Sequence, residues 1–214
     1  IAMQDLDIRG AGNLLGAEQS GFMAEMGYET YMKIIREAIN EIASDRSLPK
    51  NEGIGKLVAG SSLWNIDTQI DTDLEVFIPD NYVNIPSEKI RLYKELDGIS
   101  DEQVLKKFEA DIADRFGSPV PVPFLELIDI VRLRLEAQKL GIERIVLKNN
   151  VMLAYFVANR LSPFYKSDVF GMVLQKIQEF RIYSLLEHND KLYIKAQKVT
   201  SVRKALEILR RFLV

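Results

Sequence analysis

The chain has 214 residues, 47% of them hydrophobic and 28% charged, with a formal charge of -3, one histidine and no cysteine. That length holds one large domain or two small ones, and zero cysteine excludes disulfides, thiolate metal sites and cysteine nucleophiles. The near-neutral charge gives no global pull toward nucleic acid, and no apolar run approaches the roughly 20 residues of a bilayer span.

The opening "IAMQDLDIRG" shows neither an initiator Met nor a signal segment. It reads as the cut end of a longer cytoplasmic polypeptide with no membrane partner. "RGAGNLLGAEQSG" follows at residues 9–21, with Gly10, Gly12, Gly16 and Gly21 around Leu14-Leu15 and with Arg9 and Gln19 at its flanks. The glycines spell G-x-G-x-x-x-G, one residue longer than the dinucleotide fingerprint, and no strand pattern leads into them. "NEGIGKLVAG" fails as a phosphate loop, because Leu57 follows Gly55-Lys56 and the leading glycine is missing. The sequence therefore offers no cofactor site of its own. Arg9 can grip a phosphate through its planar fork and Gln19 can donate and accept, so a working loop is one reading. A capped turn before a helix is the other.

Tyr31, Ile34, Ile35, Ala38, Ile39 and Ile42 recur at helical spacing, predicting a long amphipathic helix from about residue 23 to 44. Residues 1–45 thus read as a helical hook, and the Ser, Pro, Gly and Lys of 46–65 as a linker. Residues 66–214 read as a compact α+β domain, with helices packed on a small mixed or antiparallel sheet.

Within that domain, "IDTQIDTDLEVFIPDNYV" alternates as a strand, with Leu74, Val76 and Ile78 on one face and Pro79 and Asp80 ending it. "IPSEKIRLYKELDGI" predicts a helix capped by Ser87. "SDEQVLKKFEADIADRFG" predicts another, with a Ser100–Gln103 capping box, a buried face of Val104, Leu105, Phe108, Ile112 and Phe116, and a terminating Gly117. "VPVPFLELIDIVRLRLEAQKLG" is apolar around much of its circumference and predicts a central helix ending at Gly141. "IERIVLKNNVMLAYFV" predicts a hairpin turning at Asn149-Asn150. A helix over "DVFGMVLQKIQEF", the strand pair "IYSLLEHNDKLYIKA" and a last helix over "SVRKALEILRRFLV" complete the chain, the last with Val202, Ala205, Leu206, Leu209 and Leu213 inward.

Three constellations could carry chemistry. His188 lies in "EHND", where a turn is expected, and has no second His or Cys to work with, so a hydrolase is disfavoured. Asp67, Asp71, Asp73 and Glu75 could attract a cation but lack the calcium-loop order and glycine; their alternation reads as the wet face of a strand, and no metal site is expected. Lys191, Lys195, Lys198, Arg203, Lys204, Arg210 and Arg211 make the C-terminal stretch basic. That pattern supports either a DNA-binding module or cations that complement a helix dipole.

Longer stretches carry a resemblance. "MQDLDIRGAGNLLGAEQSGFMAEMGYETYMKIIREAI" resembles the translocation motif that follows the second helicase lobe of bacterial transcription-repair coupling factors. "IDTDLEVFIPDNYVNIPSEKIRLYKEL" and "DRFGSPVPVPFLELIDIVRLRLEAQKLGI" resemble successive signatures of that family's C-terminal domain, leaving residues 45–65 and 165–214 the least distinctive. Phe22 departs from the motif, standing where many relatives have a polar residue or His. The resemblance implies a DNA-dependent ATPase that pushes stalled RNA polymerase forward and recruits the damage-recognition protein UvrA. It places Arg9 and Gln19 on the Arg and Gln that couple ATP hydrolysis to movement along double-stranded DNA. The glycines Gly10, Gly12, Gly16 and Gly21 shape that loop. ATP and Mg²⁺ belong to the helicase lobes of the parent protein, so no catalytic residue and no cofactor is expected here. Residues 66–214 would dock on the parent's N-terminal UvrB-like module, restraining the motor and hiding the UvrA-binding surface.

Overall fold

In the computed structural model of the chain, the described residues are 64, 66–180 and 182–213. Arg9, Gln19, the four loop glycines, the long helix expected over 23–44 and all of the 46–65 linker but Trp64 lie outside them. The described residues form five α-helices and one five-stranded mixed sheet, an α+β fold. They divide into two compact units: one is Glu75–Ile128, and the other joins residues up to Leu74 with those from Asp129 onward.

The first unit is helical. Helix α1, Pro86–Asp97, starts at Pro86, whose fixed φ suits a first turn and whose missing N–H costs nothing there. Its N-cap is therefore Ile85, without a side-chain cap, and not the expected Ser87. Helix α2, Glu102–Phe116, is capped by Asp101, whose carboxylate accepts from the Gln103 amide at 2.7 Å and the Val104 amide at 3.2 Å. The Ser100–Gln103 box does not form, because one aspartate one residue later satisfies both donors. Leu105, Phe108 and Ile112 are buried as expected, and Phe116 is half-buried. Val104, in contrast, is 54% exposed, since it lies about 100° around the helix from Leu105. Gly117 ends α2 at φ 97°, and the Tyr82 hydroxyl donates to its carbonyl at 2.5 Å.

The core of this unit gathers Val76, Ile78, Leu92, Tyr93, Leu96 and Phe124 around the α2 stripe. Two polar groups come inside with partners, as burial requires. Tyr93, fully buried, accepts the Ile78 amide on its hydroxyl at 3.0 Å, and the buried Lys89 amine donates to Asp80.

Helix α3, Val122–Lys139, carries the chain into the second unit, where Gly141 at φ 67° follows it. The sheet there has the order β1-β2-β3-β5-β4, from β1 (Gln69–Thr72), β2 (Ile142–Lys148), β3 (Val151–Phe156), β4 (Tyr183–His188) and β5 (Lys191–Gln197). β1 pairs parallel to β2, and the other neighbours pair antiparallel. β1 is much shorter than the strand expected from residue 66 to its end at Pro79. The Thr72 hydroxyl accepts the Leu74 amide at 3.1 Å, a local turn that takes the chain off the sheet before Leu74, Val76 and Ile78.

Asn149 and Asn150 adopt φ 52° and 59°, the left-handed pair that a two-residue hairpin turn needs, and Asn189 and Asp190 repeat it at 49° and 59°. The second turn leaves His188 as the last residue of β4, opposite Lys191, and not within the turn. Helix α4 spans Asp168–Glu179, with Ser167 as its cap, and helix α5 spans Val202–Phe212, capped by Ser201. On α5 the buried set is Val202, Ala205, Leu206, Ile208, Leu209 and Phe212. Leu213, expected inside, is the C-cap residue and half-buried; Phe212 takes the inward place and its ring lies 5.2 Å from that of Tyr183.

Candidate functional site

The loop residues singled out for coupling, Arg9 and Gln19, lie outside the described residues, so the site built here is a surface of the second unit. Its acidic candidates are tied up in structure. Asp71 on β1 takes the Lys148 amine at 2.9 Å and has the Arg144 guanidinium at 3.9 Å, while the Asp73 carboxylate accepts the Asn149 amide at 2.9 Å. These contacts hold the short parallel strand to β2. Asp71 is on a strand face, as read, but Asp73 and Glu75 lie past the strand's end. Among the described residues no group of three acidic or His side chains could hold a metal ion.

The seven basic side chains of the C-terminal stretch do not make one patch of a single element. Arg203 and Lys204 are exposed in the first turn of α5, while Arg210 at the other end has its Nε 3.5 Å from Glu136, which also takes Lys139 at 2.8 Å. Arg211 donates to the Tyr183 hydroxyl at 3.4 Å. Lys198 sits in the loop after β5 at φ 59°, and Lys191 and Lys195 lie on β5 itself. Helix periodicity could not reveal this split.

Strand register brings together what the sequence reading missed. Side chains alternate across a sheet, and one face of this one is closed: Ile70, Ile145, Leu147, Met152, Ala154, Ile194 and Ala196 are all buried. On the opposite face Val146 stands beside Leu153, Leu153 beside Lys195, Tyr155 beside Tyr193, and Tyr193 beside Leu186. The Tyr155 and Tyr193 rings lie 5.0 Å apart at 34°. Val146, Leu153, Tyr155, Tyr193 and Lys195 are half-buried and Leu186 is exposed. The alternation of "VMLAYF" and "KLYIKA" was visible in the sequence, but which residues face each other depends on the order β2-β3-β5-β4.

In the first unit, Glu88 receives Arg91 at 2.6 Å and also Arg115 from α2. Desolvation pushes its carboxyl upward, but the hydrogen bonds from Arg115 and Arg91 and their charges outweigh it, so its pKa is lowered from the usual carboxylate value. Beside this cluster an open groove is lined by Arg91, Lys94, Ile99 and Val104.

Residues 72–167 match the TRCF domain. The transcription-repair-coupling factor of Rickettsia typhi is 33% identical over 192 residues, covering 90% of this chain and 15% of that protein. That of Escherichia coli (strain K12) is 30% identical over 185 residues, covering 85% of this chain and 15% of the relative. The chain thus spans about 15% of the length of the curated relatives it matches. A crystal structure of the C-terminal domain of transcription-repair coupling factor aligns with a TM-score of 0.56 at 15% identity, over 68% of this chain and 92% of that one, a likeness of fold. Among the described residues no helix is long and apolar enough to cross a membrane.

Proposed function

This chain belongs to the transcription-repair-coupling factor family, and from that premise we propose that it is a C-terminal part of a DNA-dependent ATPase that displaces stalled RNA polymerase and recruits nucleotide excision repair. The observation that carries the reading is the reach of the sequence match. An alignment covering 90% of the chain extends well upstream of residue 72, where the TRCF domain match begins. The match therefore joins the domain to the sequence before it, as a motor's last motif and its regulatory domain would be joined.

In this reading Arg9 and Gln19 couple ATP hydrolysis, carried out with Mg²⁺ on helicase lobes elsewhere in the polypeptide, to movement on double-stranded DNA. A glycine-rich loop between moving parts can transmit closure because its backbone approaches others closely and its polar side chains exchange partners. Residues 66–214 act as a brake: they dock on an N-terminal UvrB-like module, restrain the motor and cover the surface that binds UvrA. A brake needs a surface that releases, and it needs no catalytic group of its own.

The test uses the full-length protein that carries this chain, with and without residues 66–214. The truncated form shows faster DNA-stimulated ATP turnover and stronger UvrA capture. Equal turnover and equal capture by the two forms contradict the reading.

A further inference from the structure

We propose that the open face of the five-stranded sheet binds single-stranded nucleic acid, stacking bases on Tyr155 and Tyr193 and holding phosphates with the cations around them. The inference is independent of the braking role and concerns a different ligand. It starts from register. Tyr155 and Tyr193 are directly paired on β3 and β5, the two strands that each have a neighbour on both sides toward the β4 end of the sheet. Their rings are half-buried and 5.0 Å apart on the face opposite the closed core. Tyrosines placed this way on adjacent strands give flat π surfaces to unstacked bases, while a duplex hides its bases from such a platform.

Charge points the same way. The register puts Arg144, Lys148, Lys191 and Lys195 on this face, against Asp71 as the acid among them. Asp71 engages Lys148 and Arg144 at one edge. Lys191 and Lys195, on the same strand as Tyr193, have no carboxylate partner among the described residues. In sequence, residues 66–74 and 129–214 carry 16 Lys and Arg against 11 Asp and Glu, although the full chain is at -3. The unit that carries the aromatic pair is thus net positive. Val146, Leu153 and Leu186 complete an apolar strip beside it. An acidic peptide would use the cations but has no need of two paired rings, and a purely apolar partner would leave the lysines unmatched.

The experiment is a fluorescence-anisotropy titration of the full 214-residue chain with labelled 20-nucleotide oligothymidylate and oligouridylate. The same duplex length and a polyglutamate peptide serve as competitors. Expected are binding of one or both single strands, weaker binding of the duplex, and a loss of affinity of roughly 5- to 100-fold for Tyr155→Ala or Tyr193→Ala. Tyr155→Phe and Tyr193→Phe retain affinity, which separates stacking from folding. Lys195→Gln, a change on the open face of β5 that leaves the buried face alone, lowers the slope of log affinity against log salt by about 0.7. Arg203→Gln with Lys204→Gln leaves it unchanged. The stronger of the two oligonucleotides identifies DNA or RNA as the ligand. No binding at low salt overturns the proposal. So does affinity insensitive to Tyr→Ala and Lys195→Gln, a duplex that binds as tightly, or equal competition by polyglutamate.

Discussion

The ring of Phe164 fills the space that a β-carbon on Gly141 would occupy. Gly141 also sits at φ 67°, a left-handed conformation that costs other residues, and its carbonyl accepts the Val157 amide at 2.9 Å. Phe164 is fully buried, with Phe156 stacked on it at 5.4 Å and Phe170 against its edge at 5.3 Å, so the ring cannot give way. Gly141→Ala therefore destabilises the chain by about 2 kcal/mol, from backbone strain and a steric clash together. Urea denaturation checks this; a midpoint equal to that of the parent chain contradicts it.

The two candidate caps of α2 separate cleanly by mutation. Asp101→Ala removes an acceptor used by two amides and costs about 1 kcal/mol. Ser100→Ala, outside the cap and exposed, stays within about 0.5 kcal/mol of the parent. Equal effects of the two changes would restore the Ser100 box.

Glu88 predicts a pH dependence. Its folded pKa lies below the ordinary carboxylate value because the hydrogen bonds from Arg115 and Arg91 outweigh its desolvation. The unfolded state therefore binds the proton more readily, and stability rises with pH where this group titrates. Its contribution is present in full above the usual carboxylate range and fades as pH falls through the lowered folded value. In denaturation series from pH 7 down to pH 3, the gap between the parent chain and Glu88→Gln closes toward the acid end. A gap that stays constant contradicts the assignment.

For Arg9 and Gln19, proposed above to couple ATP hydrolysis to movement, the expected outcome is a separation of activities. In the full-length protein, Arg9→Ala or Gln19→Ala leaves folding and ATP binding intact and impairs movement along DNA. Displacement of a stalled polymerase from a defined template measures the effect. Full displacement by both variants contradicts the coupling role.

How far the fold could be read depended on the range of the interactions involved. The hairpin at Asn149-Asn150 was legible because its turn depends on two adjacent residues that tolerate positive φ. The buried stripe Leu105, Phe108 and Ile112 was legible because helical periodicity is local. The N-caps at Ile85 and Asp101 were misread by two residues and by one, since several neighbouring residues compete for a cap and backbone geometry selects one. The open sheet face was not read at all. Tyr155 and Tyr193 are 38 positions apart in the sequence and meet through strand order alone.

The sequence by itself determined the α+β class, the place of most helices and strands, and the family resemblance, because each rests on local patterns or contiguous motifs. Only the tertiary structure decided that Asp71 meets Lys148, that the basic C-terminal residues divide between a sheet and a helix, and that two tyrosines pair on an open face. The physical reason is that side-chain alternation tells which residues share a face of one strand, while the neighbour across the ladder is set by how distant segments bury their apolar sides together.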